Sequence, residues 1–173
     1  MQDMMLLVEP LIPRLRRYAR VLLRDSVAAD DLVQDCLERA ISRWHQRRAD
    51  GDARTWLFTI LHNLAMNRLR QTARRGPHVP VEDASPATIA RAPDQEAGIH
   101  HRDVMQALDR LPDDQRAVLL LVTIEELSYV DTAKALGVPI GTVMSRLSRA
   151  RARLRDEITG RDKPAAPYLR RVK

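Results

Sequence analysis

The polar residues best placed for chemistry follow a short, glycine-containing turn near the end of the sequence. Ala133 and Gly137 are small residues four positions apart, as helices that cross and then turn tightly require. Downstream, Val143 and Leu147 start an apolar face at helical spacing. The opposite face then carries Thr142, Ser145, Arg146, Arg149 and Arg153. Hydroxyls and guanidinium groups near a helix start can bond base edges, and later arginines can bond phosphates, so the pattern predicts a DNA-binding helix-turn-helix.

Two earlier helical patterns also place similar side chains along one exposed face. Apolar residues between Val33 and Trp44 recur as a buried stripe that includes Cys36 and Ile41. The opposite face of that helix carries Asp31, Gln34, Asp35 and Glu38. A third pattern runs from about Arg54 to Arg74 with Leu57 and Leu61 facing inward. Its outward strip holds Thr59, Asn63, Asn67, Arg70 and Arg74.

Residues that could support catalysis or metal binding are not arranged for either. Cys36 is the only cysteine, which excludes an intramolecular disulfide and a zinc site built from paired cysteines. His100 and His101 are adjacent, so on a helix their rings point about 100° apart. The sequence also lacks a glycine-rich phosphate loop and a nucleophile elbow. We therefore expect no catalytic residue, no metal site and no cofactor.

Composition favours helices and divides the chain in two. Of 173 residues, 45% are hydrophobic but only 3% are aromatic, so leucine, valine, isoleucine and alanine must fill the core. Four prolines fall between residues 76 and 98, which predicts an extended linker. We expect an all-α protein with two small helical domains, at 1–75 and 99–159, and a disordered tail at 160–173. Such a linker should leave the two domains without a fixed separation.

Charge and hydropathy narrow the class of partner. Lysine and arginine total 29 against 23 aspartate and glutamate, which gives a net charge of +6. This positive charge favours a polyanionic partner. Residues 11–24 alone carry five arginines. The apolar runs are far shorter than the roughly 20 residues of a membrane helix. We expect a cytoplasmic protein with no membrane insertion.

Four sequence blocks, taken in order, resemble the signatures of the small bacterial sigma factors of the extracytoplasmic-function group. They begin at Asp31 (DLVQDCLERA), Thr55 (TWLFTILHN), Leu111 (LPDDQRAV) and Gly141 (GTVMSRLSRAR). The resemblance covers residues 11–158. It implies a protein that is not an enzyme but binds core RNA polymerase and directs it to a restricted set of promoters.

The same resemblance implies a role for each polar face. The first domain would bind core polymerase, on the coiled coil of its beta-prime subunit, through Asp31, Gln34, Asp35 and Glu38. It would also bind the minus-ten element through Asn63, Asn67, Arg70 and Arg74. The second domain would bind the minus-35 element through Thr142, Ser145, Arg146, Arg149 and Arg153. A flipped base of the unwound strand would enter a pocket beside the loop at about His45 to Arg54, with Trp44 and Trp56 as candidate lining residues. The resemblance further implies promoter DNA and an anti-sigma factor as partners and a monomer when free.

Two alternatives from other classes stay open. A stand-alone helix-turn-helix regulator would use its N-terminal half for dimerisation or effector binding, although no effector pocket is evident in the sequence. A small helical enzyme would use His62 with an acidic partner, although no spacing supports it. Sequence-specific DNA binding without polymerase would favour the regulator.

Overall fold

The computed structural model of the protein describes residues 2–47, 51–75 and 95–161. Within these ranges it contains α-helices and helical turns and no strand, which confirms the all-α prediction. The α-helices are α1 (Gln2–Val8), α2 (Ile12–Leu23), α3 (Ser26–Arg43), α4 (Ala53–Arg75), α5 (Gln95–Asp109), α6 (Asp113–Leu119), α7 (Tyr129–Leu136) and α8 (Ile140–Arg161). Single 3₁₀ turns occupy Glu9–Leu11 and Trp44–Gln46, and a π turn, Leu120–Ile124, follows α6.

Short polar side chains cap the first turns of α3 and α4, the helices that carry two of the predicted sites. The Asp25 carboxylate accepts a hydrogen bond from the Ala28 amide (2.9 Å) at the start of α3. Asp52 accepts bonds from the amides of Arg54 and Thr55, both at 3.1 Å, at the start of α4. Although partial burial opposes it, these bonds and one from the Thr55 hydroxyl hold the pKa of Asp52 below its usual value. The loops therefore fix where α3 and α4 start.

The first half packs α2, α3 and α4 around one apolar centre. Leu15, Leu22 and Leu57 are fully buried, and the ring of Tyr18 meets that of Phe58 edge-on with centroids 5.5 Å apart. The leucines and alanines that fill this core leave the polar faces of α3 and α4 outside it.

One residue of the stripe predicted on α3 is exposed to solvent. Val33, Cys36 and Ala40 are buried as expected, but Ile41 is 57% exposed. At about 100° per residue, Ile41 lies about 80° around the helix from Val33, whereas Ala40 lies about 20° from it. Ile41 is therefore at the edge of the stripe, beyond the contact with the core.

The second half consists of α5 to α8, with α6 and α7 packed on α8. Pro112 precedes α6, and two aspartates occupy the first turn, where carboxylates are favoured by the helix dipole, as predicted. Helix α5 begins at Gln95, inside the stretch predicted to be linker. Helix α8 ends at Arg161, so residues 160 and 161 are helical rather than part of the predicted disordered tail. The predicted linker residues 76–94 and tail residues 162–173 lie outside the described ranges, and the predicted domain boundaries remain predictions.

The two halves lie against each other, which differs from the expectation that they have no fixed separation. Helix α7 packs on α4, and α6 packs on α2. Buried apolar side chains of both halves, from Leu15 to Ala150, belong to one continuous core. That expectation rested on the composition of the linker alone. Burial of apolar surface between the halves brings them together whatever the linker composition.

Candidate nucleic-acid and protein interfaces

The helix-turn-helix predicted from the sequence is present in α7 and α8. The Ser128 hydroxyl caps α7 by accepting from the Asp131 amide (3.0 Å) and donates to the Asp131 carboxylate (2.6 Å). The bond from Ser128 lowers the pKa of Asp131. At the other end, Gly137 adopts the left-handed conformation (φ 64°), and the Val138 amide donates to the Ala133 carbonyl (3.1 Å). These two caps fix where α7 begins and ends, and Gly137 makes the turn into α8.

The five residues proposed to read DNA share one face of α8, but they are not equally accessible. Val143 and Leu147 are buried on the opposite face. Arg149 and Arg153 are exposed, whereas the other three predicted residues are half-buried, namely Thr142, Ser145 and Arg146. The Ser145 hydroxyl donates to the Thr142 carbonyl (3.1 Å), and Arg146 Nε lies 3.1 Å from Asp114 Oδ2 of α6. Arg146 therefore joins α8 to α6 through this ion pair.

The outward strip of α4 is confirmed as an exposed polar face. Asn63, Asn67, Arg70 and Arg74 are all exposed. Thr59, predicted on the same strip, is half-buried, and its hydroxyl donates to the Thr55 carbonyl (2.8 Å). The four exposed residues span about three turns, which is long enough to contact several successive nucleotides.

The acidic strip of α3 is also exposed along its whole length. Its members are Asp31, Gln34, Asp35 and Glu38. Gln34 Nε2 donates to Glu38 Oε1 (3.1 Å), and Asp31 Oδ2 lies 3.7 Å from Arg68 Nη2 of α4. The strip thus forms a negative surface on α3, with Asp31 at its border with α4.

Two tryptophans and two arginines surround the entrance to α4. The rings of Trp44 and Trp56 meet edge-on with centroids 5.8 Å apart, and the Arg47 guanidinium lies 4.8 Å above the Trp44 ring. Arg54 Nε and Nη2 are buried and have no hydrogen-bond partner among the described residues. Buried donors without partners are costly, so this cluster is suited to donate hydrogen bonds to acceptor oxygen or nitrogen atoms of a ligand.

His62 is a core residue rather than a catalytic base. It is only 7% exposed, and Nδ1 shares a hydrogen bond of 3.0 Å with the Tyr18 hydroxyl. Burial, with the nearby positive charges of Arg146 and Arg70, lowers its pKa to about 4. The hydrogen-bond partner of His62 is therefore the Tyr18 phenol and not a carboxylate. This arrangement does not support the alternative in which His62 and an acidic residue form the catalytic pair of an enzyme.

The described part of the chain can be compared with two expectations from the sequence, that no helix inserts into a membrane and that no metal site is present. None of its helices is long and apolar enough to cross a membrane. In the same ranges, no three histidine, cysteine or acidic side chains are grouped as metal ligands. Burial also raises the pKa of the Cys36 thiol to about 12, so that thiol is unreactive in the folded chain.

Charged residues that connect the two halves were not predicted from the sequence. Glu125 is fully buried against Arg14 and Arg17, and Arg116 is 1% exposed with Nη2 donating to the Leu22 carbonyl (3.0 Å). The available signal was a glutamate directly after the apolar run that ends at Ile124. The sequence did not indicate its partners, because they lie more than 100 residues away.

Comparison with known proteins supports the predicted family in both halves of the chain. A family model described as the Sigma2 domain of PhyR matches residues 8–62, and one described as Sigma-70, region 4 matches residues 101–154. The chain is 38% identical over 146 residues to the ECF RNA polymerase sigma factor EcfG of Rhodopseudomonas palustris, covering 83% of this chain and 78% of the relative. It is 41% identical over 141 residues to SigM of Mycobacterium tuberculosis, covering 82% and 69%.

A solved structure shows the same arrangement of helices. It is the sigma factor RpoE in complex with the anti-sigma factor NepR from Bartonella quintana, which is 31% identical. It superposes with a TM-score of 0.77 over 92% of this chain and 98% of that one. The superposition includes both halves, so their relative placement is similar in the two proteins. On these grounds the chain belongs to the extracytoplasmic-function (ECF) family of RNA polymerase sigma factors.

Proposed function

We propose that the two halves divide the work of this sigma factor between three surfaces. As a family member, the chain directs core RNA polymerase to promoters. In our proposal the strip on α3 binds the polymerase, the strip on α4 binds the minus-ten element, and α8 binds the minus-35 element. The observation that carries the proposal is that three helices expose three distinct polar faces while their apolar faces share one core.

The acidic strip on α3 is the proposed polymerase contact. Asp35 and Glu38 are exposed side chains on α3, and among the described residues neither forms a salt bridge. A row of carboxylates on a helix is complementary to a basic protein surface and steers association with it. Nucleic acid is repelled by the same charges, so this face is suited to the protein partner rather than to DNA.

Helix α8 is the proposed reader of minus-35 DNA. Arg149 and Arg153 are exposed on the face opposite Val143 and Leu147, and a guanidinium can bond a guanine edge or a phosphate. Packing on α6 and α7 through Val143 and Leu147 holds α8 in place. A fixed position supports this role, because base contacts require accurate placement of the helix in the groove.

The strip on α4 and the tryptophan cluster are the proposed minus-ten site. Asn63 and Asn67 can pair with base edges, and Arg70 and Arg74 can hold phosphates. Beside them, Trp56 offers an aromatic edge and Arg54 two buried donors without partners. A flipped base costs a few kcal/mol to extrude, which stacking and hydrogen bonding in such a pocket can offset.

We further propose the remaining properties of the chain from its family. It is cytoplasmic and monomeric when free, performs no catalysis itself, and is held inactive by an anti-sigma factor. The similarity to a sigma factor solved with its anti-sigma factor, over both halves, supports the last point.

Holoenzyme assembly tests the proposed function. The double substitution Asp35→Arg with Glu38→Arg reverses the strip, and we expect it to abolish assembly with core polymerase and run-off transcription. The matched control, Glu9→Arg with Asp156→Arg, changes the net charge equally at exposed positions outside the strip. Assembly of the strip variant at the level of the control would contradict the proposal. Far-UV circular dichroism should show equal helicity in both, because arginine is a good helix former.

A further inference from the structure

Glu125 forms a buried charge cluster between the two halves. It is 0% exposed, and its carboxylate accepts from Arg14 Nε (2.9 Å) and from Arg17 Nε and Nη2 (3.0 and 2.8 Å). Arg14 Nη2 also donates to the Glu125 main-chain carbonyl (3.2 Å). Both arginines lie on α2, in the half that would bind polymerase, and Glu125 lies just before the helix-turn-helix. The cluster therefore joins the two functional halves directly.

The backbone around Glu125 is shaped to present this side chain. The π turn Leu120–Ile124 ends with the Glu125 amide donating to the Leu120 carbonyl (2.9 Å). The next residue, Glu126, has a φ of 53°, a conformation that is unfavourable for a residue with a side chain. The Leu127 amide then donates a hydrogen bond to the Leu121 carbonyl (2.9 Å). A strained turn that survives beside a buried carboxylate indicates that its surroundings hold it in place.

The cost of burying Glu125 applies only while the halves are together. A buried carboxylate is strongly unfavourable unless it is paired and hydrogen-bonded, and here both counter-charges come from the opposite half. If the halves separate, Glu125 and both arginines gain water and the cost disappears. The cluster therefore adds to the apolar contact between the halves only with both arginines in place, and removing either side shifts the balance towards separation.

The arginines of α2 form two groups, according to which half of the chain their acidic partners belong to. Arg24 Nε lies 3.5 Å from Asp109 Oδ1 of α5, so it joins Arg14 and Arg17 in contacting the second half. Arg16 and Arg20 instead pair with Asp30 of α3, within the first half. The basic segment at residues 11–24 thus has one side that bridges the halves and one that does not.

We propose that the Arg14–Glu125–Arg17 cluster is a latch that holds the free sigma factor closed. While the latch is engaged, α8 has a fixed position relative to α3 and α4. Release lets the two halves move apart and frees Arg14 and Arg17 on α2. A further consequence, that latch release favours polymerase binding, rests on the proposed function, because the two halves must then reach separate promoter elements.

Fluorescence energy transfer in the free chain measures the latch. We place dyes at Val27→Cys and Gln106→Cys, both exposed and each three residues from the Arg24–Asp109 pair, in a Cys36→Ala background. Glu125→Gln keeps the shape and removes the charge. We expect it to lower transfer efficiency and to raise the ratio of open to closed molecules about tenfold or more. Glu126→Gln, the exposed neighbour, should leave both unchanged.

A second pair of variants keeps the test decisive if Glu125→Gln loses helicity. Arg14→Gln with Arg17→Gln removes the partners, which are themselves partly exposed. Its control, Arg16→Gln with Arg20→Gln, removes the same charge from the same helix on the side paired with Asp30. Opening in the first pair alone supports the latch. Equal transfer in all chains, with normal helicity by circular dichroism, would overturn it.

Binding to core polymerase separates failure of the latch from failure of the proposed function. We expect the opened variants to bind core enzyme more tightly than the parent chain. If transfer falls but no chain binds core enzyme, the latch stands and the proposed function fails. If all chains bind core enzyme and transfer does not change, the latch fails and the proposed function stands.

Discussion

The Tyr18 hydroxyl and His62 Nδ1 share a hydrogen bond of 3.0 Å in the core, with Arg146 and Arg70 near enough to disfavour a second positive charge. Burial, followed by these two positive charges, lowers the pKa of His62, so His62 stays neutral at pH values where a free histidine is protonated. Because Arg70 and Arg146 belong to different halves of the chain, the protonation of His62 is tied to the closed arrangement as well as to the fold.

This arrangement predicts acid sensitivity. An unfolded histidine takes up a proton near pH 6.5, whereas folded His62 does so only near pH 4. Between those values the unfolded state binds more protons, so the folded state loses up to about 3 kcal/mol as the pH falls from 6.5 to 4. Urea unfolding at a series of pH values measures the loss. His62→Asn keeps a polar atom near Tyr18 but cannot titrate, and it should show a shallower pH dependence. An equal dependence in both proteins would exclude His62 as the cause.

Gly137 and Gly141 provide a matched pair for the helix-turn-helix. Gly137 adopts a φ of 64°, so Gly137→Ala should destabilise the protein by about 1 kcal/mol or more. Gly141 lies in α8 with no neighbouring atom within 4 Å of an added Cβ, so Gly141→Ala should stabilise by about 0.4–1 kcal/mol. Chemical denaturation measures both. Changes of the same sign would show that backbone conformation does not determine the difference.

Arg149 on α8 should contribute to minus-35 recognition without supporting the fold. Arg149→Ala removes an exposed side chain, so its effect on stability should stay below about 0.5 kcal/mol, whereas loss of a base contact costs about 1–3 kcal/mol. Arg151→Ala, exposed on the other side of α8, is the control. Competition gel shifts with holoenzyme measure the loss. If selectivity and melting temperature fall together, Arg149 is structural.

Asn63 should act at promoter opening rather than at duplex binding. Asn63→Ala removes a proposed contact to a base that is accessible only when the strands part, so opening on linear template should fall while premelted template is less affected. Permanganate footprinting compares the two templates. Thr72→Ala, exposed on the opposite side of α4, should behave like the parent chain. Normal footprints on both templates for Asn63→Ala would remove this residue from the site.

Local rules predicted most of the helices, and contacts distant in sequence account for what they missed. The caps at Ser128 and Gly137 and the exposed strips on α3 and α4 follow from spacing within one or two turns. The half-burial of Arg146 does not, because its partner Asp114 belongs to another helix. Glu125 could not be placed for the same reason, and the contact between the halves was missed because linker composition says nothing about the apolar surfaces it connects.

The dependence of promoter binding on core polymerase tests the central claim most directly. The purified chain should bind promoter DNA weakly, since its two DNA-reading helices are held together by the closed arrangement and separating them carries a cost. Addition of core enzyme should make binding strong and sequence-specific, and reversal of Asp35 and Glu38 should abolish that gain. Gel shifts with and without core enzyme measure both. Tight, specific binding by the chain alone, unchanged by the reversal, would contradict the account and favour a stand-alone regulator.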